Sequence, residues 1–267
     1  MNQSNTNCNN CPAHNVNNLK KLGVNMDGYN YLVALAGNPN TGKSTIFNNL
    51  TGLRQHTGNW PGKTVTRAEG GFEFNNSKYK LVDLPGTYSL LSTSTDEEVA
   101  RNFILFGQPD VTVIVVDSTK LERNLNLVLQ ILEITDRAVL SLNLTDEGRR
   151  NGINIDEREL SKQLGIPVIP TSARNREGME QLLNYIDQVS RKKYICKPYQ
   201  VKGYNKKIKK SIDELTDRIT KLFPDLPNSR WVAIRLLEGD QTIIDAVKSG
   251  EIGKIYNISV DQLSDAI

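Results

Sequence analysis

The chain has 267 residues, with 33 Lys and Arg against 30 Asp and Glu and a formal net charge of +3. That length holds one large domain, or one of common size with a smaller appendage, and the charge excess is too small to mark a nucleic-acid binder. Cys8, Cys11 and Cys196 are too few for a disulfide-stapled secreted fold, which points to a reducing compartment. No run approaches the roughly 18 apolar residues of a membrane span, and the Asn-rich start has no apolar signal segment. The expectation is a soluble chain.

Residues 1–29 are polar and aperiodic and read as a flexible N-terminal tail. Order is expected from residue 31, where an apolar run of strand length ends at Gly37. Residues 44–50 then begin a helix, and 65–74 and 78–83 form two strands joined by a turn at 75–77. The run at 111–116 is too continuously apolar for a strand with one wet face, so it reads as buried on both faces. A helix over 121–134, a strand at 138–142, a helix capped by Asp156 and Glu159, a strand at 167–170 and a helix over 177–189 follow. This alternation predicts an α/β domain over 30–190, a mostly parallel sheet with helices on both faces. Residues 191–267 read as a linker and a small all-helical domain, with breaks at Pro224, Pro227, Gly239, Gly250 and Gly253.

Gly37-Asn38-Pro39-Asn40-Thr41-Gly42-Lys43-Ser44 has the G-x-x-x-x-G-K-S spacing of a phosphate loop, between a strand and a helix. Its glycines let successive N–H groups face phosphates, and the helix start adds partial positive charge. Lys43 would bridge the β- and γ-phosphates, and the Ser44 hydroxyl would ligate Mg²⁺. Asn143-Leu-Thr-Asp146 follows a strand and suits guanine, because the carboxylate accepts from both N1–H and the exocyclic amine. Thr171-Ser172-Ala173 comes after the next strand, where small residues let backbone N–H groups approach guanine O6. Asp83-Leu-Pro-Gly86 supplies a carboxylate for a Mg²⁺-bound water and a Gly86 N–H for the γ-phosphate. Between these lies 58–64, where a threonine would complete the Mg²⁺ shell. Thr64 is the choice, with Thr57 and Thr66 as competitors. Trp60, between Asn59 and Pro61, reads as a mobile loop position, and His56 as an exposed loop residue.

Together GNPNTGKST (37–45), GNWPGKTV (58–65), DLPGTYSL (83–90), NLTD (143–146), TSA (171–173) and RLLEGD (235–240) resemble the FeoB family of bacterial ferrous-iron transporters, a translation-factor-like branch of small GTPases. The resemblance covers roughly residues 30–267 and implies a Ras-like P-loop GTPase domain joined to a helical domain. It implies a GTP-binding, slowly GTP-hydrolysing regulatory domain at the cytoplasmic face of the bacterial inner membrane. Implied partners are GTP and GDP, a membrane-spanning iron-permease portion absent from this chain, and small accessory iron-transport proteins, with no nucleic acid. The implied nucleotide set is Gly37 to Thr45, Asp83, Gly86, Asn143, Asp146, Ser172 and Ala173. Lys43, Thr64 and Gly86 take catalytic roles, and Ser44, Thr64 and Asp83 hold Mg²⁺. Lys63 stands where the family usually has an apolar residue, and Leu144 where most GTPases have Lys.

Thr87 occupies the place where many small GTPases put a water-orienting Gln, so side-chain-assisted hydrolysis should be weak. The resemblance suggests that Asn40 helps to bind K⁺, giving slow, potassium-stimulated turnover. Cys8, Cys11 and His14 bring three soft or borderline metal ligands into seven residues, one short of a structural zinc set. Residues 191–210 contain nine Lys or Arg and no acidic residue. They read as a solvated face, with contact to anionic lipid as the functional alternative. The rival functions are an RNA-associated GTPase, disfavoured by the acidic residues of the last segment, and a non-catalytic nucleotide-binding scaffold.

Overall fold

Val111–Asp117 is buried at every position and Tyr31–Gly37 at all but its first, as a computed structural model shows. Successive strand residues point to opposite sides, so unbroken burial means that both sides of the sheet are covered. The structure describes residues 19–52, 55–91, 94–199, 205–224, 226 and 228–248. Its chain divides into two units, residues 26–202, and residues 1–25 with 203–267.

The larger unit holds seven strands: β1 (Tyr31–Gly37), β2 (Gln55–Asn59), β3 (Thr66–Phe74), β4 (Ser77–Asp83), β5 (Val111–Asp117), β6 (Ala138–Asn143) and β7 (Val168–Pro170). They lie in one sheet in the order β2-β3-β4-β1-β5-β6-β7. The β4, β1, β5, β6 and β7 neighbours pair in parallel, while β2 and β3 add an antiparallel flank. Asn75 and Asn76 join β3 to β4 with φ of 47° and 58°. Two residues at positive φ make the tight hairpin whose twist matches the strands it joins.

Six helices accompany the sheet: α1 (Lys43–Thr51), α2 (Thr95–Gly107), α3 (Leu121–Ile134), α4 (Thr145–Arg150), α5 (Glu157–Leu164) and α6 (Met179–Ser190). Asp156 caps α5 by accepting from the N–H groups of Arg158 and Glu159, as its position three residues before Glu159 predicts. Three elements were not expected: β2, α2 and the short α4. Ser94 accepts from Glu97 N at 3.2 Å to open α2, with Asp96, Glu97 and Glu98 in its first turn complementing the helix dipole. The expected tail also needs correction within residues 19–29, because residues 19–21 are helical and Leu19 and Val24 are buried.

The smaller unit contains α7 (Lys206–Leu222), α8 (Ser229–Leu237) and α9 (Gln241–Lys248). Ile212, Ile219, Phe223, Leu226, Trp231, Val232 and Ile243 are among its buried apolar residues. Asn205 caps α7 by accepting from Ile208 N at 2.9 Å. Among the described residues, no helix is long and apolar enough to cross a membrane.

Candidate nucleotide site

Five parallel strands end at Gly37, Asp83, Asp117, Asn143 and Pro170, so the loops that follow them gather at one edge of the sheet. That edge is where open α/β sheets bind ligands. β3 is antiparallel to β4, with Ala68 opposite Asp83, so the turn before β3 reaches the same edge.

The loop from Gly37 to Lys43 wraps tightly. A Cβ at Gly37 would come 2.5 Å from Val115 O, which leaves no room for any other residue. Asn40 and Gly42 have φ of 65° and 84°. The Thr41 hydroxyl donates to Asn38 O at 2.9 Å, and α1 starts at Lys43 with Ser44 and Thr45 exposed at its first turn. Alternating backbone handedness followed by a helix start makes a concavity of N–H groups suited to an anion. Asn38 is buried, and its side-chain amide has no hydrogen-bond partner among the described residues.

Lys43 Nζ pairs with Asp83 Oδ1 and donates to Leu84 O at 2.7 Å. Burial raises the Asp83 carboxyl above its ordinary value, and the charge and hydrogen bond of Lys43 pull it back only in part. A carboxylate held out of water in this way needs a cation. Ser44 and Asp83 offer hard oxygen donors of the kind Mg²⁺ takes, so the residues present fit that ion. Gly86 meets Pro39 backbone atoms at 3.4 Å, measured from the Cβ it lacks, and Thr87 N donates to Gly37 O at 3.3 Å. The D-x-x-G loop is thereby fastened to the phosphate loop.

Asn143 joins three loops. Its Nδ2 donates to Thr41 O at 2.9 Å, and its Oδ1 accepts from Ala173 N at 3.0 Å and from Thr171 Oγ1 at 3.3 Å. Gly42 is needed here as well, since a Cβ would overlap Asn143 Nδ2. Asp146 Oδ1 accepts from Ser172 Oγ at 2.8 Å, while Oδ2 accepts from Arg150 at 2.7 Å. The Ser172 hydroxyl is the first cause that holds the Asp146 carboxyl below its ordinary value. An ionised acceptor in fixed orientation is what a guanine edge requires. Leu144 takes φ of 61° between these two residues, a costly conformation for a leucine of the kind concentrated at binding sites.

The segment holding Thr64 is arranged otherwise than expected. Trp60 is 3 % exposed. It packs edge-to-face on Phe103 of α2 at 5.3 Å, under the Arg67 guanidinium at 5.5 Å, so the reading of a mobile loop position is corrected. A tryptophan ring removed from water outweighs the polar neighbours that suggested a loop. Trp60 N donates to Val65 O and Lys63 N to Trp60 O, each at 3.0 Å, closing a turn in which Thr64 is exposed. Lys63 Nζ pairs with Glu98 Oε2 of α2 at 2.9 Å. Thr57 and Thr66 are exposed in β2 and β3, and His56 is exposed as expected but lies in β2 rather than a loop.

Sequence reasoning missed two residues that shape the site. Asn49 of α1 donates to Ala173 O at 2.6 Å, and Ser118 Oγ donates to Leu144 O at 2.9 Å. Neither position carries a motif, and each acts only through its tertiary neighbour. Cys8, Cys11 and His14 lie outside the described residues, among which no cluster of metal-ligating side chains occurs.

The fold and the loops at its edge define a P-loop domain of the GTPase class. The family model described as ferrous iron transport protein B matches residues 31–186, and that of the FeoB cytosolic helical domain matches 204–267. The chain belongs to the FeoB family. The Fe(2+) transporter FeoB of Salmonella typhimurium is 39% identical over 237 residues, which cover 87% of this chain and 30% of that protein. The chain thus spans about a third of the length of such relatives. The cytosolic domain of the T. maritima FeoB iron transporter in GMPPNP form superposes with a TM-score of 0.74 at 35% identity, covering 89% of this chain and 91% of that one. The G domain of the same T. maritima protein gives a TM-score of 0.57 at 44% identity over 60% of this chain and 98% of that one.

Proposed function

We propose that this chain is the GTP-binding, slowly GTP-hydrolysing regulatory domain of a ferrous-iron transporter, acting at the cytoplasmic face of the bacterial inner membrane. Its partners are GTP and GDP, a membrane-spanning permease portion and small accessory iron-transport proteins. The observation that carries the reading is Asn143, whose one side chain links the phosphate loop to the loops of Asp146 and Ala173.

In this reading Lys43 leaves Asp83 for the β- and γ-phosphates when a triphosphate enters. The N–H groups from Gly37 to Thr45, with Pro39 as the one member lacking a donor, surround the phosphate chain. Asp146 accepts from the guanine edge, and the small residues Ser172 and Ala173 let the backbone lie beside O6. Bound Mg²⁺ would neutralise charge on the phosphates, held by Ser44, by Asp83 through water, and by Thr64. Gly86 N–H meets the γ-phosphate. Thr87 has no side-chain amide to orient water, and it is buried with its N–H committed to Gly37 O. Turnover is therefore slow, and Asn40 would help to hold a K⁺, which would supply positive charge for the transfer.

Two measurements test this. Calorimetric titration with GDP, GTP, ATP and GMPPNP should show guanine nucleotides bound and ATP not; ADP held as firmly as GDP would refute it. Turnover in KCl should exceed that in NaCl for wild type and not for Asn40→Ala, and equal rates in all four conditions would reject the potassium role.

A further inference from the structure

Residues 191–199 run across the pole of the sheet opposite the nucleotide loops, where the parallel strands begin. Arg191 donates to Asp187 at 2.5 Å and to Asn75 O and Ser77 Oγ at 2.8 Å, beside the start of β4. Lys192 lies near enough to Asp110, before β5, to stabilise its charge together with Arg137. Cys196 Sγ donates to Ala138 O at 3.4 Å at the start of β6. Lys197 N and Tyr199 N donate to Gly165 O and Leu164 O at 2.8 and 2.9 Å, just before β7. The segment is thus strapped to the pole along its length.

Its side chains alternate. Tyr194, packed edge-to-face on Tyr185 at 5.8 Å, and buried Cys196 turn inward. Lys193, Ile195, Lys197 and Tyr199 are exposed, Ile195 at 76 % and Tyr199 at 46 %. The outward row is therefore lysine, isoleucine, lysine, tyrosine, flanked by Lys192 and Arg137. The acidic groups against the strap are Asp187, paired with Arg191, Asp110, which accepts from Leu32 N, and Asp136, which sits beside Arg137.

We propose that this strap is a docking surface for an anionic lipid bilayer. Lysines attract acidic headgroups and can keep their charges in water while their stems lie along apolar surface. The exposed isoleucine and tyrosine would enter the boundary between headgroups and acyl chains. A nucleic-acid polyanion would use the lysines but gain nothing from an aliphatic side chain. Seven strand residues separate the strap from the phosphate loop, about 20 Å, so docking leaves the nucleotide site open.

The test is co-sedimentation of the full chain with vesicles of phosphatidylcholine alone and of phosphatidylcholine mixed with phosphatidylglycerol. The chain should partition to the mixed vesicles only, and less so as salt rises. Lys193→Gln with Lys197→Gln should lower that partition about fivefold per lysine removed, and Ile195→Ser should lower it further. GDP titration and far-ultraviolet circular dichroism should match wild type for every variant. Equal binding to both vesicle types overturns the proposal, as does a loss confined to a Lys206→Gln, Lys207→Gln, Lys209→Gln and Lys210→Gln variant. Binding of polyuridylate that depends on Lys193 and Lys197 while Ile195→Ser changes nothing would assign the strap to nucleic acid instead.

Discussion

Replacing Asn143 by alanine removes in one step the donor to Thr41 O and the acceptor for Ala173 N and the Thr171 hydroxyl. Each buried group left unpaired costs about 1–3 kcal/mol. Asn143→Ala should therefore lower stability by a few kcal/mol in urea unfolding and weaken GDP binding at least about tenfold by titration. A second prediction concerns Tyr79, which is fully buried and donates to Asp187 Oδ1. Burial first, and then Asp187, raises its pKa well above the ordinary 10.0. A folded-state pKa above the unfolded one stabilises the fold fully below pH 10 and less as pH climbs beyond it. Tyr79→Phe should thus cost about 1.5–3 kcal/mol near pH 8, as for a hydrogen bond to a charged group. The gap from wild type should narrow above pH 10, and a gap independent of pH would contradict this account.

At the scale of elements, the turn between β2 and β3 is the part most open to change with nucleotide state. It is held shut by its own backbone bonds and pinned to α2 by Trp60 and by Lys63 with Glu98. The exposed Lys63–Glu98 pair adds under about 1 kcal/mol, so the ring of Trp60 is the main fastening. Its Nε1 is buried with no hydrogen-bond partner among the described residues, a cost that eases release. Thr64 shares the closed turn, so under the proposed metal role a move of Thr64 would carry Trp60 along. The chain has two tryptophans, and Trp231→Phe leaves Trp60 as the only one. Adding GMPPNP with Mg²⁺ to that variant should shift its emission to longer wavelength relative to GDP, and identical spectra would count against movement of the turn.

For the whole molecule, residues 26–202 form one unit containing every loop of the candidate site, with their own buried sheet. The solved G domain of the T. maritima relative covers 60% of this chain. A chain of residues 26–202 alone should fold cooperatively and bind GDP within about threefold of the full chain by titration. Failure to bind would show that the helical unit is required for the site.

The sequence by itself determined the β1, β5 and β6 strands and the phosphate loop, because continuous apolar runs and a fixed glycine-lysine spacing are local properties. It also marked Asp156 as a cap, since that follows from neighbours within a few residues, and offered Asp146 as the carboxylate proposed for base recognition. Only the tertiary structure decided that Trp60 is core, that Asn49 reaches Ala173, and that Gln55–Asn59 joins the sheet edge. β2 reads as polar because its partner strand, not its own side chains, satisfies its backbone. The same holds for the strap of 191–199, whose lysines and apolar residues are a plain charge run until long-range hydrogen bonds fix which of them face outward.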